Sequence, residues 1–205
     1  MVLQLDYQLF QIINGLAGSV SFLNPLMRFL AQHAEYLFYI GVIIYWFIRT
    51  ESNRRMIVEA LTAACIGLAI SGLIGDFFYR DRPFVTHAVF QLIQHPANAS
   101  FPSDHAIGAF VIATTIWLFR KKEGRLWLAL AACIAFSRIW TGVHYPSDVI
   151  AGALIGVAAA AGVHQVFVKS RFAQKGQLVG IRLYERIEHK IWPKTKDNVR
   201  EAHRT

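Results

Sequence analysis

Five stretches of the chain, residues 36–48, 60–75, 106–119, 126–137 and 149–168, contain no Asp, Glu, Lys or Arg. Charge is expensive in hydrocarbon, so runs of this kind are what a bilayer-spanning helix requires. About 20 residues cross a membrane. Polar flanks that snorkel or turn inward extend the shorter runs toward that length, with Glu35, Glu59 and Asp76 as such residues. A soluble bundle with five buried helices would leave too little polar surface in 205 residues, of which only 17 % are charged and 55 % hydrophobic. A soluble enzyme, a disordered chain and a collagen-like fibre are excluded on the same ground. The expected fold is all-α: a polytopic membrane bundle of about five transmembrane helices, with an amphipathic helix at each end. Residues 1–175 form the expected membrane-embedded domain and 176–205 a basic cytoplasmic tail.

Residues 1–20 have no basic segment ahead of an apolar core, so no cleavable signal peptide is expected. Leu5, Leu9, Ile12 and Leu16 recur at helical spacing with Gln4, Gln8 and Gln11 opposite, which predicts an interfacial amphipathic helix. Asn24-Pro25 is expected to break the chain before the first span. Ile181, Tyr184, Ile187 and Ile191 predict a second amphipathic face in the tail, whose basic residues suit anionic lipid. Cys65 and Cys133 sit in apolar runs and are expected to be buried thiols, neither a disulfide nor a metal pair. Gly152-x-x-x-Gly156 predicts close internal helix packing rather than a dimer seam. The oligomeric state is left open.

A formal net charge of +8 could indicate nucleic acid, but the placement of the charges argues for lipid and against a nucleic-acid partner. Seventeen of the 21 Lys and Arg residues fall between spans one and two, between spans three and four, or after span five. The positive-inside rule makes that side cytoplasmic, with the carboxyl terminus inside and the amino terminus outside. The exceptions are Arg28, Arg80, Arg82 and Arg138. Three of them accompany the chemically loaded residues: Arg80, Asp81 and Arg82 after span two, Ser103, Asp104 and His105 at the start of span three, Arg138 at the end of span four, and His144 and Asp148 at the start of span five. Segments remote in sequence thus converge on one membrane face.

That set of side chains suits phosphate. Arginine presents a planar fork to its oxygens, and the helix starts at Pro102-Ser103 and Pro146-Ser147 offer free N–H groups and a positive dipole end. One histidine can attack phosphorus and the other can protonate the leaving oxygen. Asp148, four residues after His144, can reach its imidazole and fix the tautomer. No carboxylate cluster has metal-ligand spacing, and His105 and His144 lack an evident third ligand, so neither metal nor other cofactor is expected. His87 and His95 fall in the outer loop and are expected to line its surface. His33 and Glu35 are expected to pair within the bundle, although both could reach the pocket.

Arg82-Pro83, then Pro102-Ser103-Asp104-His105, then Ser137-Arg138-x5-His144-x3-Asp148 resemble the three signature motifs of the type 2 phosphatidic acid phosphatase superfamily. The resemblance covers roughly residues 60–168. Within it, the Tyr-Arg-Asp-Arg-Pro-Phe and Phe-Pro-Ser-Asp-His wording is similar to the bacitracin-resistance type of undecaprenyl pyrophosphate phosphatase of bacterial plasma membranes. The resemblance implies a lipid pyrophosphate substrate and a metal-free reaction at the outer face. His144 would be the nucleophile, Asp148 its orienter and His105 the acid, with Arg82, Ser103 and Arg138 holding the phosphate. Two departures stand out. Gly75 occupies the place of the family's first-motif Lys, for which Arg80 is the expected substitute. Asp104 replaces the usual Gly and is expected to turn away from the phosphate, toward Arg80 or its own helix start. Phosphatidic acid or phosphatidylglycerol phosphate is the rival substrate. The rival functions are a vanadate-dependent haloperoxidase and a lipid transporter or scaffold.

Overall fold

The computed structural model describes residues 2–192, and among them there is no strand. The helices are α1 (Val2–Ser19), α2 (Asn24–Gln32), α3 (Glu35–Phe47), α4 (Glu51–Phe77), the single turn α5 (Pro83–Thr86), α6 (Asp104–Phe119), α7 (Lys121–Trp140), α8 (Pro146–Lys169) and α9 (Arg171–Ile191). Thr50 starts α4 by accepting the N–H of Asn53 on its hydroxyl, and Ser170 starts α9 by accepting that of Ala173. Each satisfies an amide that the first helical turn leaves without a partner. Between α3 and α4 the chain reverses through Arg49, at φ 63°. Asn24-Pro25 begins a helix instead of breaking the chain, because proline is compatible with a first helical turn.

The chain divides into two compact units, residues 1–165 and 166–205. In the first, Phe38, Met56, Ile57, Ala109, Ile116 and Ile134 form a buried cluster that ties α3, α4, α6 and α7 together. The small-residue pair on α8 sets the approach of α6. A Cβ on Gly152 would stand 2.6 Å from the Ser103 carbonyl oxygen, and one on Gly156 2.8 Å from that of Ile107. The seam is therefore internal.

The exterior is apolar. Ile43, Ile44, Leu73, Ile150 and Leu154 are each at least half exposed, the inverse of a water-facing surface. Among the described residues two helices, α4 and α8, are long and apolar enough to cross a membrane, while α3 and α6 are shorter apolar helices. Cys65 and Cys133 are free and exposed, not buried. An apolar run here faces outward as readily as inward, so its cysteines need not be in the core.

On α1 the apolar stripe faces outward and the opposite stripe packs. Leu5, Leu9 and Ile12 are exposed, whereas Asp6, Phe10, Asn14 and Ala17 are buried. The inward stripe carries two polar residues because they have partners at the site and its loop. In the second unit, α9 begins at Arg171 and runs through the boundary expected after residue 175. Ile181 is buried, while Val179, Leu183, Ile187 and Ile191 are exposed, so the outward apolar stripe is rotated from the expected one. Lys194, Lys196, Arg200 and Arg204 lie outside the described residues.

The first unit has two chemically distinct ends. At one, the Arg120 guanidinium donates to the Asn53 side chain and Tyr45 donates to Glu123, joining the α3–α4 and α6–α7 connections among their basic residues. The other carries Arg80, Arg82, Ser103, Arg138, His144 and Asp148.

Candidate active site

His144 lies in the five-residue connection between α7 and α8, just after Gly142, whose φ of +83° reverses the chain. A Cβ at Gly142 would also meet the Phe90 carbonyl oxygen at 2.8 Å, so both backbone and space require glycine. The imidazole is 2 % exposed. Its Nδ1 is 2.9 Å from the Ser100 carbonyl oxygen, which can only accept, so Nδ1 carries the proton. Its Nε2 is 3.0 Å from Nη1 of Arg82, which can only donate. The ring is thereby a neutral tautomer with its lone pair on Nε2. Burial first, then Arg138 and Arg82, then His95, hold its pKa well below the ordinary histidine value.

Asp148 does not fix this ring directly. Its Oδ2 is 3.5 Å from Nδ1, farther than the Ser100 carbonyl. Its oxygens accept instead from the Ser100 hydroxyl at 2.5 Å, the Tyr145 amide at 2.8 Å and the Arg80 guanidinium at 2.9 Å. Asp148 thus holds the segment that holds the imidazole. Arg80, expected to stand in for a phosphate-binding lysine, is engaged with carboxylates. Besides Asp148 it donates to Asp6 at 2.7 Å and to the Ser147 hydroxyl at 2.7 Å, and it stacks 3.8 Å over the Tyr145 ring. Asp6 also accepts the Ser147 amide at 2.8 Å and its hydroxyl at 2.6 Å. It therefore closes the start of α8 from α1.

The residues expected to bind phosphate divide by how many donors they keep. Arg82, 4 % exposed, spends its N–H groups on Asn98, Ala99 and Val143 as well as on His144. Its pKa is lowered by burial. Arg138, 2 % exposed at the end of α7, donates only Nη1, to the Ala31 carbonyl at 2.7 Å. Its Nε and Nη2 are buried with no partner among the described residues, as is the Ser103 hydroxyl ahead of α6. Buried donors without acceptors are costly. A cationic fork and a hydroxyl left open in one place describe the receiving side of an anion site. Arg138 is in the electrostatic surroundings of both His144 and His105.

His105 is the second residue of α6, with Nε2 3.5 Å from a carboxylate oxygen of Glu35. Glu35 thus meets His105, not His33, whose ring packs with Phe29 and Tyr36. Asp104 meets neither expected partner: its Oδ1 accepts the Ser71 hydroxyl of α4 at 2.5 Å. A cavity of ≈ 310 Å³ opens here between polar Glu35, Asp104 and His105 and apolar Phe38, Leu68 and Ile112. In the segment between α5 and α6, His95 stands with its ring 6.3 Å from that of His144, and His87 stacks on Tyr7 at 4.0 Å. Arg28 is exposed on α2 and takes no part. Among the described residues no group of three His, Cys, Asp or Glu side chains could hold a metal.

Sequence reasoning missed Asp6, Asn14 and Ser100. Asn14 donates to the Phe90 and Trp140 carbonyls and accepts the Phe90 amide, which pins the α5–α6 loop to α7. A signal existed in α1: Asp6, Phe10, Asn14 and Ala17 share one helical stripe, and a polar pair on such a stripe points inward when it has partners.

The PAP2 superfamily model matches residues 56–172, and the chain belongs to that superfamily. It is 41% identical over 197 residues to the "Bacitracin transport permease protein BcrC" of Bacillus licheniformis, covering 95% of each chain. It is 32% identical over 197 residues to the "Undecaprenyl-diphosphatase BcrC" of Bacillus subtilis strain 168, covering 94% of this chain and 98% of the other. Among solved structures it resembles Aquifex aeolicus LpxE, with TM-score 0.64, 27% identity and coverage of 78% and 95%. The fold also matches the transmembrane PAP2-type phosphatidylglycerolphosphate phosphatase of Bacillus subtilis, with TM-score 0.53, 19% identity and coverage of 81% and 96%.

Proposed function

We propose that this chain is a bacterial membrane lipid-pyrophosphate phosphatase that converts undecaprenyl pyrophosphate to undecaprenyl phosphate and inorganic phosphate. The observation that carries the reading is the set of open donors on Arg138 and Ser103 beside a histidine whose lone pair is on Nε2. The terminal phosphate takes those donors. Nε2 of His144 attacks its phosphorus while the bond to the bridging oxygen breaks. That oxygen leaves with the lipid phosphate and receives a proton from His105. Water then attacks the phosphohistidine, gives its proton to His105, and releases phosphate as the N–P bond breaks. Positive charge fixed before the reaction stabilises the charge that gathers on phosphorus oxygens in the transition state. Asp148, Ser100 and Arg80 keep the nucleophile in place, and no residue set in the site calls for a metal or other cofactor.

The names of the relatives supply the lipid. In this reading α3, α4, α6, α7 and α8 span the plasma membrane, the site faces outward, and residues 176–205 lie at the cytoplasmic surface. There the apolar stripe of α9, flanked by Arg182, Arg186 and Lys190, meets anionic lipid.

The test is phosphate release by purified protein across lipid mono- and pyrophosphates, with rapid-quench trapping of acid-labile, base-stable phosphate. His144→Ala abolishes both turnover and trapping. Near-normal turnover by that variant, or no hydrolysis of any lipid phosphate by the wild type, rejects the reading.

A further inference from the structure

We infer that Glu35 is a positioning residue for His105: it keeps that imidazole charged and aims its free N–H at the leaving oxygen. The inference rests on the reading of His105 as the general acid. An acid must hold its proton before it can give it, which calls for a counter-charge. Arg138 from α7, Arg82 and His95 from the outer segments and His144 from the α7–α8 connection all present positive or protonatable groups to it. The negative groups nearby are Asp104 on its own helix and Glu35 on α3. Asp104 is committed to the Ser71 hydroxyl. Glu35 is the carboxylate that meets the imidazole, with its oxygen 3.5 Å from Nε2.

The pair lies at the polar rim of the ≈ 310 Å³ cavity, above Phe38, Leu68 and Ile112. Apolar walls limit the water that would screen it. With Nε2 facing the carboxylate at 3.5 Å, Nδ1–H is left to donate. The proton passes from Nδ1 to the bridging oxygen as the phosphorus–oxygen bond breaks. Glu35 remains ionised throughout.

Glu35→Gln keeps the shape and removes the charge. With farnesyl pyrophosphate as substrate, kcat falls about ten- to a hundredfold, within the range of general acid catalysis, and KM changes less than about twofold. The basic limb of the kcat profile moves to lower pH by about one unit, because the acid loses its proton earlier. Glu35→Asp keeps the wild-type limb, which a purely steric role would not allow. The double variant Glu35→Gln/His105→Ala is no slower than His105→Ala alone, since Glu35 acts only through the imidazole. An unmoved basic limb, or losses that multiply in the double variant, overturns the role of Glu35 while leaving that of His105 standing. An unaffected His105→Ala enzyme overturns both.

Discussion

The Arg82 guanidinium stands 3.0 Å from Nε2 of His144, the nitrogen proposed to attack phosphorus. The site thus holds its nucleophile by the same lone pair the reaction needs. An arriving phosphate competes for the guanidinium and frees that pair. Charge on Arg82 serves both states.

This arrangement sets a pH dependence. Burial, Arg138 and Arg82 keep the His144 pKa well below 6.5, so the imidazole stays neutral as pH falls through that value. The acid limb of kcat/KM therefore lies below pH ~6.5. Arg82→Gln removes a repelling charge and moves that limb upward, whatever it does to the absolute rate. For stability the sign is the same. The unfolded chain binds the proton first, so the His144 contribution is full above about 6.5 and declines as pH falls below it. Rate profiles and thermal melts in detergent from about pH 5 to about pH 8 check both.

Asp6 is expected to matter despite its distance in sequence from the motifs. Asp6→Asn weakens the hold on Arg80 and on the start of α8, and through them on Asp148. Misplacement of about 1 Å at a reacting group costs roughly a hundredfold. We expect a loss of about ten- to a hundredfold in kcat with a smaller change in KM, measured beside Asp148→Asn. If Asp6 acts through the same segment, the double variant is little worse than Asp148→Asn alone.

Gly152→Ala tests the α6–α8 seam. The added methyl would lie 2.6 Å from the Ser103 carbonyl oxygen and 3.0 Å from the Ala106 Cβ, so one helix must move. Over-packing of this kind costs about 1–3 kcal/mol. Because Ser103 is also a proposed phosphate ligand, activity is expected to fall together with the melting temperature. Gly162→Ala, with nothing near its Cβ direction, is the control and should change neither.

Positive charge in the site comes from fixed side chains, so EDTA should leave the rate within about twofold of the untreated enzyme. Vanadate imitates the five-coordinate phosphorus of the transition state and is expected to inhibit by competing with substrate. Arg138→Gln should weaken that inhibition more than it weakens substrate binding, because the open Nε and Nη2 serve the extra equatorial charge. Dose–response curves with and without the chelator decide the matter.

The apolar runs made the helices legible, and the motif spacing made His144, Asp148, Arg138 and Ser103 legible as one cluster. The routes between them were not. Ser100 reaches His144 through its carbonyl, and a backbone atom leaves no trace in residue identity. Asp6 and Arg80 meet across 74 residues, a pairing that charge counting cannot specify. Arg80 looked like a phosphate ligand because its charge was legible while its partners were not. The exposed face of α9 misled for a related reason. In a lipid setting the stripe richest in Leu and Ile is not necessarily the one turned to the core.

The contact between Asp6 and Ser147 spans 141 residues. Residues near the amino terminus are synthesised first, and the helix start they cap is made near the end of the bundle. Until the ribosome has delivered α8, the Asp6 carboxylate has neither the Ser147 amide nor a second carboxylate with which to share Arg80. A nascent chain arrested before residue 144 therefore carries Arg82, Ser103, His105 and Arg138 but neither the proposed nucleophile nor its clamp. The site cannot acquire phosphatase activity by stages; it is closed by the last span to arrive.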